Sequence, residues 1–367
     1  MKIYVAVSGN FDEGFDSSCR GESKWANSLA RCFADGGHQV VIGMDNDIGA
    51  GGFPAYQRAQ WPNITFYQGD QVFNKKVLKD EVFDIAIFTN WQDEKEVKQP
   101  INAKKYVYGI MSWKDWLMVD GYFDDNEYVC LWSQGSAGHI PEDINFKDRC
   151  FILPQPFGPQ YGDSKFKNKR VAWVAKDVFY DVREPATKES GKRNFIAALE
   201  ACRENDCEFY IFSGQDFDAT KHTLISEYGI DSLIKSYDKA ILIPNLSAKD
   251  YREKLQSCSV TIPINQAGSV PESIFYGLVP VLYKDGMWAR HPGIKEIVSE
   301  LTHDAWAHRL DKKNLGIGEI RGIINRLLSD EDFFNTYLER LRVLVEESLD
   351  TNVLKQLEKI VNHEVTQ

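Results

Sequence analysis

Short apolar runs rich in β-branched and aromatic residues alternate with stretches of helical period along the whole chain. The first half holds such runs at 3–7, 40–42, 64–67, 85–88, 106–108 and 128–132, and the second half at 171–174, 209–212, 241–243, 260–262 and 279–283. Between the first two, Trp25, Ser28, Leu29, Cys32 and Phe33 recur on one helical face until Asp35-Gly36-Gly37 stops the helix, a glycine pair supplying the positive φ that helix ends use. Strand–helix alternation of this kind predicts an α/β chain of parallel sheets covered by helices on both faces.

The rhythm breaks once. From Pro154 to Arg170 the chain carries Pro154, Pro156, Gly158, Pro159 and Gly162, then a basic run of Lys165, Lys167, Lys169 and Arg170, and a strand pattern restarts directly afterwards. This reads as the join between two doubly wound domains: residues 1–158, a linker at 159–169, and residues 170–328. The remaining 329–367 reads as C-terminal helices packing back across both. Ile320, Ile323, Ile324, Leu327 and Leu328 form one apolar stripe, Phe334, Tyr337, Leu338, Leu341 and Val345 the next, and Leu354, Leu357 and Val361 the last. Ser329 ahead of Asp330, Glu331 and Asp332 suits a hydroxyl cap followed by acids at the positive end of a helix.

A length of 367 residues and a hydrophobic fraction of 43% supply two ordinary cores. No apolar run approaches the roughly 20 residues of a membrane helix, and the first residues read as a strand, so no integral membrane contact is expected. The seven cysteines are scattered, without zinc-ligand spacing, and read as reduced core residues of a cytoplasmic protein. The net charge of −11 disfavours a broad nucleic-acid surface.

Candidate chemistry gathers in two places. The loop after the first strand, Ser8-Gly9-Asn10-Phe11-Asp12-Glu13-Gly14, opens at the carboxyl edge of a sheet, where open α/β sheets bind ligands. It lacks the Gly-Lys-Ser/Thr of a phosphate-binding P-loop. The second place is the run from Ser257 to Tyr283, which reads as a strand, a polar loop holding Asn265, Gln266, Gly268, Ser269 and Val270, a short helix opened by Pro271-Glu272, a stop at Gly277, and a strand. Proline suits a first helical turn, amides exposed there attract anions, and the Glu272 carboxylate has the capacity to accept both hydroxyl protons of a ribose diol.

The run from Pro271 to Val281, with its glutamate followed by Gly277-Leu278-Val279-Pro280-Val281, resembles the signature of GT-B glycosyltransferases, especially the glycogen-synthase-like family 4 superfamily. The surroundings resemble it in order: a helix from Leu246 to Cys258, a strand ending at Ser213-Gly214, a lysine-led helix from Gly191-Lys192-Arg193, and an N-terminal loop and Gly37-His38-Gln39-Val40 turn. The resemblance spans nearly the whole chain. It implies two Rossmann-like doubly wound domains facing a central cleft, the donor nucleotide on the C-terminal one and the acceptor on the N-terminal one. It implies that Glu272 holds the ribose, and that Lys192 with Lys176 or Arg183 neutralises the diphosphate. Gly214, Asn265, Gln266, Gly268, Ser269 and Val270 would complete the donor site, with retention of anomeric configuration and no metal or other cofactor beyond the nucleotide-diphosphate sugar itself.

The chain departs from that pattern twice. The family's first glutamate, eight residues before the second, is replaced by Ile264, beside Asn265 and Gln266. Where the family often has a His-Asp pair, the chain reads Met111-Ser112-Trp113-Lys114-Asp115-Trp116, which leaves Asp115 as the candidate base. Trp113 and Trp116, with Gly9, Asn10 and Gly14, are the acceptor-side candidates, because sugar rings stack on aromatic faces; Trp288 to Gly293 could border the same cleft. The expected acceptor is a carbohydrate, a lipid-linked group or a protein. A DNA-base glycosyltransferase of phage type, a GT-B nucleotide-sugar epimerase and a noncatalytic sugar-binding protein are the competing readings.

Overall fold

The computed structural model describes residues 1–7, 21–44, 61–68, 78–89, 101–110, 124–132, 147–175, 185–213, 230–243, 246, 248–263, 268–283, 288, 291–294, 302–303 and 317–363. They fall into two compact units. The first comprises Met1–Pro159 together with Glu347–Gln367, and the second is Gln160–Glu346.

The first unit is built on a seven-stranded parallel sheet. Its strands are β1 (Lys2–Val7), β2 (Gln39–Met44), β3 (Ile64–Gln68), β5 (Ile85–Phe88), β7 (Tyr106–Ile110), β8 (Glu127–Leu131) and β9 (Cys150–Ile152), in the order β3-β2-β1-β5-β7-β8-β9. A small side pair joins β4 (Val82–Phe83) to β6 (Asn102–Ala103). One sheet face packs Tyr4, Val41, Phe88, Tyr108 and Leu131 into a core. Helix α1 (Gly21–Asp35) lies on the unit through Trp25, Leu29, Cys32 and Phe33, all fully buried. Trp25 donates from Nε1 to the Leu153 carbonyl at 2.9 Å, and its ring fills the space over Gly109, where a Cβ would lie 2.6 Å from the indole. Gly37 ends α1 at φ 82°.

The second unit carries a five-stranded parallel sheet of β10 (Arg170–Ala175), β11 (Glu208–Ser213), β12 (Ala240–Ile243), β13 (Val260–Pro263) and β14 (Val279–Pro280), in the order β12-β11-β10-β13-β14. The described helices here are α2 (Pro185–Glu204), α3 (Ile230–Lys235), α4 (Ala248–Gln256), α5 (Ser269–Phe275), α6 (Ile317–Ser329) and α7 (Glu331–Leu341). The strand read at 279–283 divides: Val281 separates β14 from β15 (Leu282–Tyr283), which pairs instead with β16 (Thr302–His303).

Two regions lie at the boundaries of the units. From Gln160 the segment read as the linker belongs to the second unit and is held against it. Gly162 N–H donates to the Phe275 carbonyl at 2.8 Å, Lys165 N–H to the Gly277 carbonyl at 3.0 Å, and Phe166 is buried against Phe334. The tail is divided: α7 belongs to the second unit, whereas α8 (Asp350–Asn362) belongs to the first. There Arg31 pairs with Asp350 at 3.1 Å, Leu354 fills the space above Gly36, and Lys105 Nζ donates to the Ile360 carbonyl at 2.9 Å. The cap of α7 is Asp330, whose carboxylate accepts from Phe333 N–H at 2.9 Å. Ser329 instead turns its hydroxyl back to the Asn325 carbonyl and closes the preceding helix.

Candidate functional site

In an open parallel sheet the ligand crevice lies at the carboxyl ends of the strands, where the strand order reverses. In the second unit β10 is that pivot: β11 and β12 lie to one side, β13 and β14 to the other. Lys176 and Arg183 follow β10, and Asn265 to Glu272 follow β13, its hydrogen-bonded neighbour. The topology therefore leads both candidate donor segments out of adjacent strands.

Glu272 is the best-defined member. It sits in α5 and is 8% exposed, a carboxylate buried where water ordinarily solvates it. On α4, burial and the nearby Glu272 charge push the Tyr251 hydroxyl well above its ordinary value, with Tyr276 adding to the shift; Tyr251 packs edge-on against Phe212 at 5.4 Å. Helix α5 begins at Ser269, two residues before the Pro271-Glu272 pair read from sequence, with Gly268 as the capping residue. Pro271 remains in the first turn, where no intrahelical amide bond is lost.

A hydroxyl relay fixes α5 to the sheet. Thr261 Oγ1, in β13, donates to Ser273 Oγ at 2.9 Å, and Ser273 Oγ donates to the Ser269 carbonyl at 2.6 Å. Both side chains are fully buried. Both residues lie in the run from Ser257 to Tyr283, where sequence alone assigned them no role; the available signal was a threonine within an otherwise apolar strand, twelve residues before a serine in the helix that follows.

Gly277 has two reasons to be glycine. Its φ is +88°, and a Cβ there would lie 1.9 Å from the Asp163 carbonyl oxygen, a backbone atom. The 159–169 segment thus presses directly on the end of α5. Tyr161 adds an edge-on contact to Phe275 at 6.0 Å, and Arg342 covers Tyr161 at 4.9 Å while donating to the Gly162 carbonyl at 3.2 Å.

The other candidates divide as follows. Ser269 is half-buried and Val270 fully buried in the first turn of α5. Lys192 lies on α2, which follows β10, and only its backbone is among the described features. Lys176, Arg183, Gly214, Asn265 and Gln266 lie outside the described residues, as do Gly9, Asn10, Gly14, Trp113, Asp115 and Trp116. Trp288 and His291 are buried in the second unit, at 3% and 8% exposure. Burial lowers the His291 pKa, and its Nδ1 accepts from Gly293 N–H at 3.1 Å. A groove of about 640 Å³ lies elsewhere on this unit, reaching Arg170 at the amino end of β10, and does not belong to the switch point.

Solved structures match this architecture over almost the full chain. A sucrose-phosphate synthase from Thermosynechococcus elongatus superposes with a TM-score of 0.60 at 12% identity, over 98% of each chain. A glycosyltransferase from Rickettsia africae gives 0.61 at 13% identity, over 99% of each. The fold is GT-B. The same GT-B fold occurs in an alpha-glucosyltransferase in complex with UDP-glucose and DNA containing an abasic site, at a TM-score of 0.55 and 11% identity over 99% of this chain and 100% of that one. No family model matches the sequence, and no curated protein matches it. Identities this low carry the GT-B architecture and not the chemistry. Among the described residues no helix is long and apolar enough to cross a membrane.

Proposed function

We propose that this GT-B chain is a glycosyltransferase that moves a sugar from a nucleoside-diphosphate sugar to an acceptor hydroxyl, without a metal ion and with retention of configuration. The observation that carries the reading is the buried Glu272 carboxylate beyond the end of β13, beside the strand-order reversal, in a helix locked by Thr261 and Ser273. A desolvated carboxylate beside the strand-order reversal, where open parallel sheets bind their ligands, is suited to accept the two hydroxyl protons of a ribose. The UDP-glucose bound by a protein of the same fold supports the donor class.

In this reading Lys192, with Lys176 or Arg183, faces the diphosphate. Negative charge grows on the nucleoside diphosphate as the sugar–oxygen bond breaks, and fixed cations lower that barrier most where the charge develops. Asn265 and Gln266 take the sugar hydroxyls in place of the glutamate the family ordinarily supplies. Asp115 orients the acceptor, with Trp113 and Trp116 as its stacking surface. The net charge of −11 favours a carbohydrate, lipid-linked or protein acceptor over nucleic acid.

Calorimetric titration of wild type and Glu272→Ala with a panel of UDP, GDP and ADP sugars tests the assignment. One nucleotide sugar should bind wild type, and the variant should lose about 2–3 kcal/mol, roughly 30- to 150-fold in affinity, as its charged hydrogen bonds disappear. Equal affinities in the two proteins would remove Glu272 from the donor site.

A further inference from the structure

The last turn of α2 closes in a Schellman geometry. Cys207 N–H donates to the Cys202 carbonyl at 3.0 Å and Asp206 N–H to the Arg203 carbonyl at 3.2 Å, with Asp206 at φ 49°, the left-handed residue such a turn requires. The side chains at positions 202 and 207 occupy the two sites of this motif that ordinarily meet in an apolar contact. Here both are thiols. Cys202 is fully buried and Cys207 is 4% exposed; both are free, and each thiol shifts the titration of the other. The Tyr237 hydroxyl lies 2.6 Å from the Cys207 carbonyl oxygen and 3.1 Å from that of Cys202, bracing both ends of the turn. Arg203, Glu204 and Asp206 of the same turn are exposed, and helix ends are where local opening begins.

We propose that Cys202 and Cys207 form an oxidative modification site, converted by a small peroxide into an intrachain disulfide that ties the end of α2 to the start of β11. This proposal is independent of the sugar chemistry. The two sulfurs are not equivalent. Cys207, at the end of the turn, is the more exposed of the two, whereas Cys202 is sealed; Cys207 is therefore the sulfur that a peroxide reaches first and is assigned as the attacking thiolate. The neighbouring Cys202 and Lys239 hold its pKa below the ordinary value against burial and Asp206, and burial raises that of Cys202. Cys207 takes one peroxide oxygen as the O–O bond breaks, giving a sulfenic acid and a hydroxide that leaves as water on protonation. The Cys202 sulfur, giving up its proton, then attacks the Cys207 sulfur; the S–S bond forms, the S–O bond breaks, and a second water departs. The two thiols lose two electrons and two protons, and the peroxide gains them.

The full-length protein should be treated with hydrogen peroxide, alkylated in denaturant and digested with trypsin. Cleavage after Arg203 places the two cysteines on separate peptides, so the disulfide appears as a linked pair that dithiothreitol splits. The linked pair should accumulate before oxidation of the buried Cys130 or Cys258. In Cys202→Ser, dimedone should label Cys207 as its sulfenic acid. Full alkylation of both cysteines after peroxide treatment would overturn the proposal, and so would a cross-link from either one to Cys258. The wild-type peptide map decides the matter even if the variant fails to fold.

Discussion

Replacing Gly277 by alanine should destabilise the second unit by about 2–5 kcal/mol. The first contribution is conformational: an L-residue in the left-handed region costs roughly 1–2 kcal/mol, and Gly277 sits at φ +88°. The second is steric. The new Cβ would stand 1.9 Å from the Asp163 oxygen and 2.7 Å from its carbon, so backbone must move. That motion pulls on the bonds from Gly162 to Phe275 and from Lys165 to Gly277, at 2.8 and 3.0 Å, each worth about 0.5–1.5 kcal/mol. Urea unfolding gives the loss, and hydrogen exchange locates it, because the Gly162 and Lys165 amides should exchange faster while amides of the first unit keep their protection. Gly322→Ala is the matched control. Gly322 is exposed within α6 and nothing lies within 4 Å of its Cβ position, so alanine should stabilise by about 0.5–1 kcal/mol. If Gly277→Ala unfolded like wild type, the backbone contact between the 159–169 segment and α5 would not be what holds that helix end.

Thr261→Val should lower stability by about 1 kcal/mol, and Ser273→Ala by about 1–3 kcal/mol, since the latter strands a fully buried hydroxyl donor; both should also weaken nucleotide-sugar binding, and calorimetry reads that second effect directly. The stability of wild type should fall relative to His291→Asn as pH drops below about 6.5, the ordinary histidine value. Burial lowers the folded-state pKa of His291, so the unfolded chain binds the proton first; the stabilisation is complete above 6.5 and fades below it, and parallel pH profiles would contradict this. Donor binding and transfer should survive EDTA unchanged, and restoration by added Mg²⁺ or Mn²⁺ would refute the metal-free reading.

The strand framework was legible because parallel strands buried on both faces read as nearly continuous apolar runs, and 85–88 is buried at every position. The pairs at Val82–Phe83 and Asn102–Ala103 escaped because two residues carry no period. The start of α5 escaped because Pro271 looks like an opening residue, yet a first turn tolerates it at more than one place. Nothing local shows that the Gly162 and Lys165 amides donate to the Phe275 and Gly277 carbonyls, since the partners lie over a hundred residues apart in sequence. Glu272 was found through a motif; Thr261 and Ser273 were not, because a hydroxyl pair becomes visible only when a strand and a helix are packed together.

The first unit is discontinuous, with α8 supplied by the end of the chain. A ribosome therefore finishes the whole second unit before the first can close over Arg31, Gly36 and Lys105. At roughly 5–20 residues per second that interval is on the order of tens of seconds, during which the nascent N-terminal sheet waits with its α8-facing side uncovered. Premature termination before Asp350 would release a chain in which the later-made lobe is complete and the earlier-made one is not, a natural substrate for chaperones and proteases.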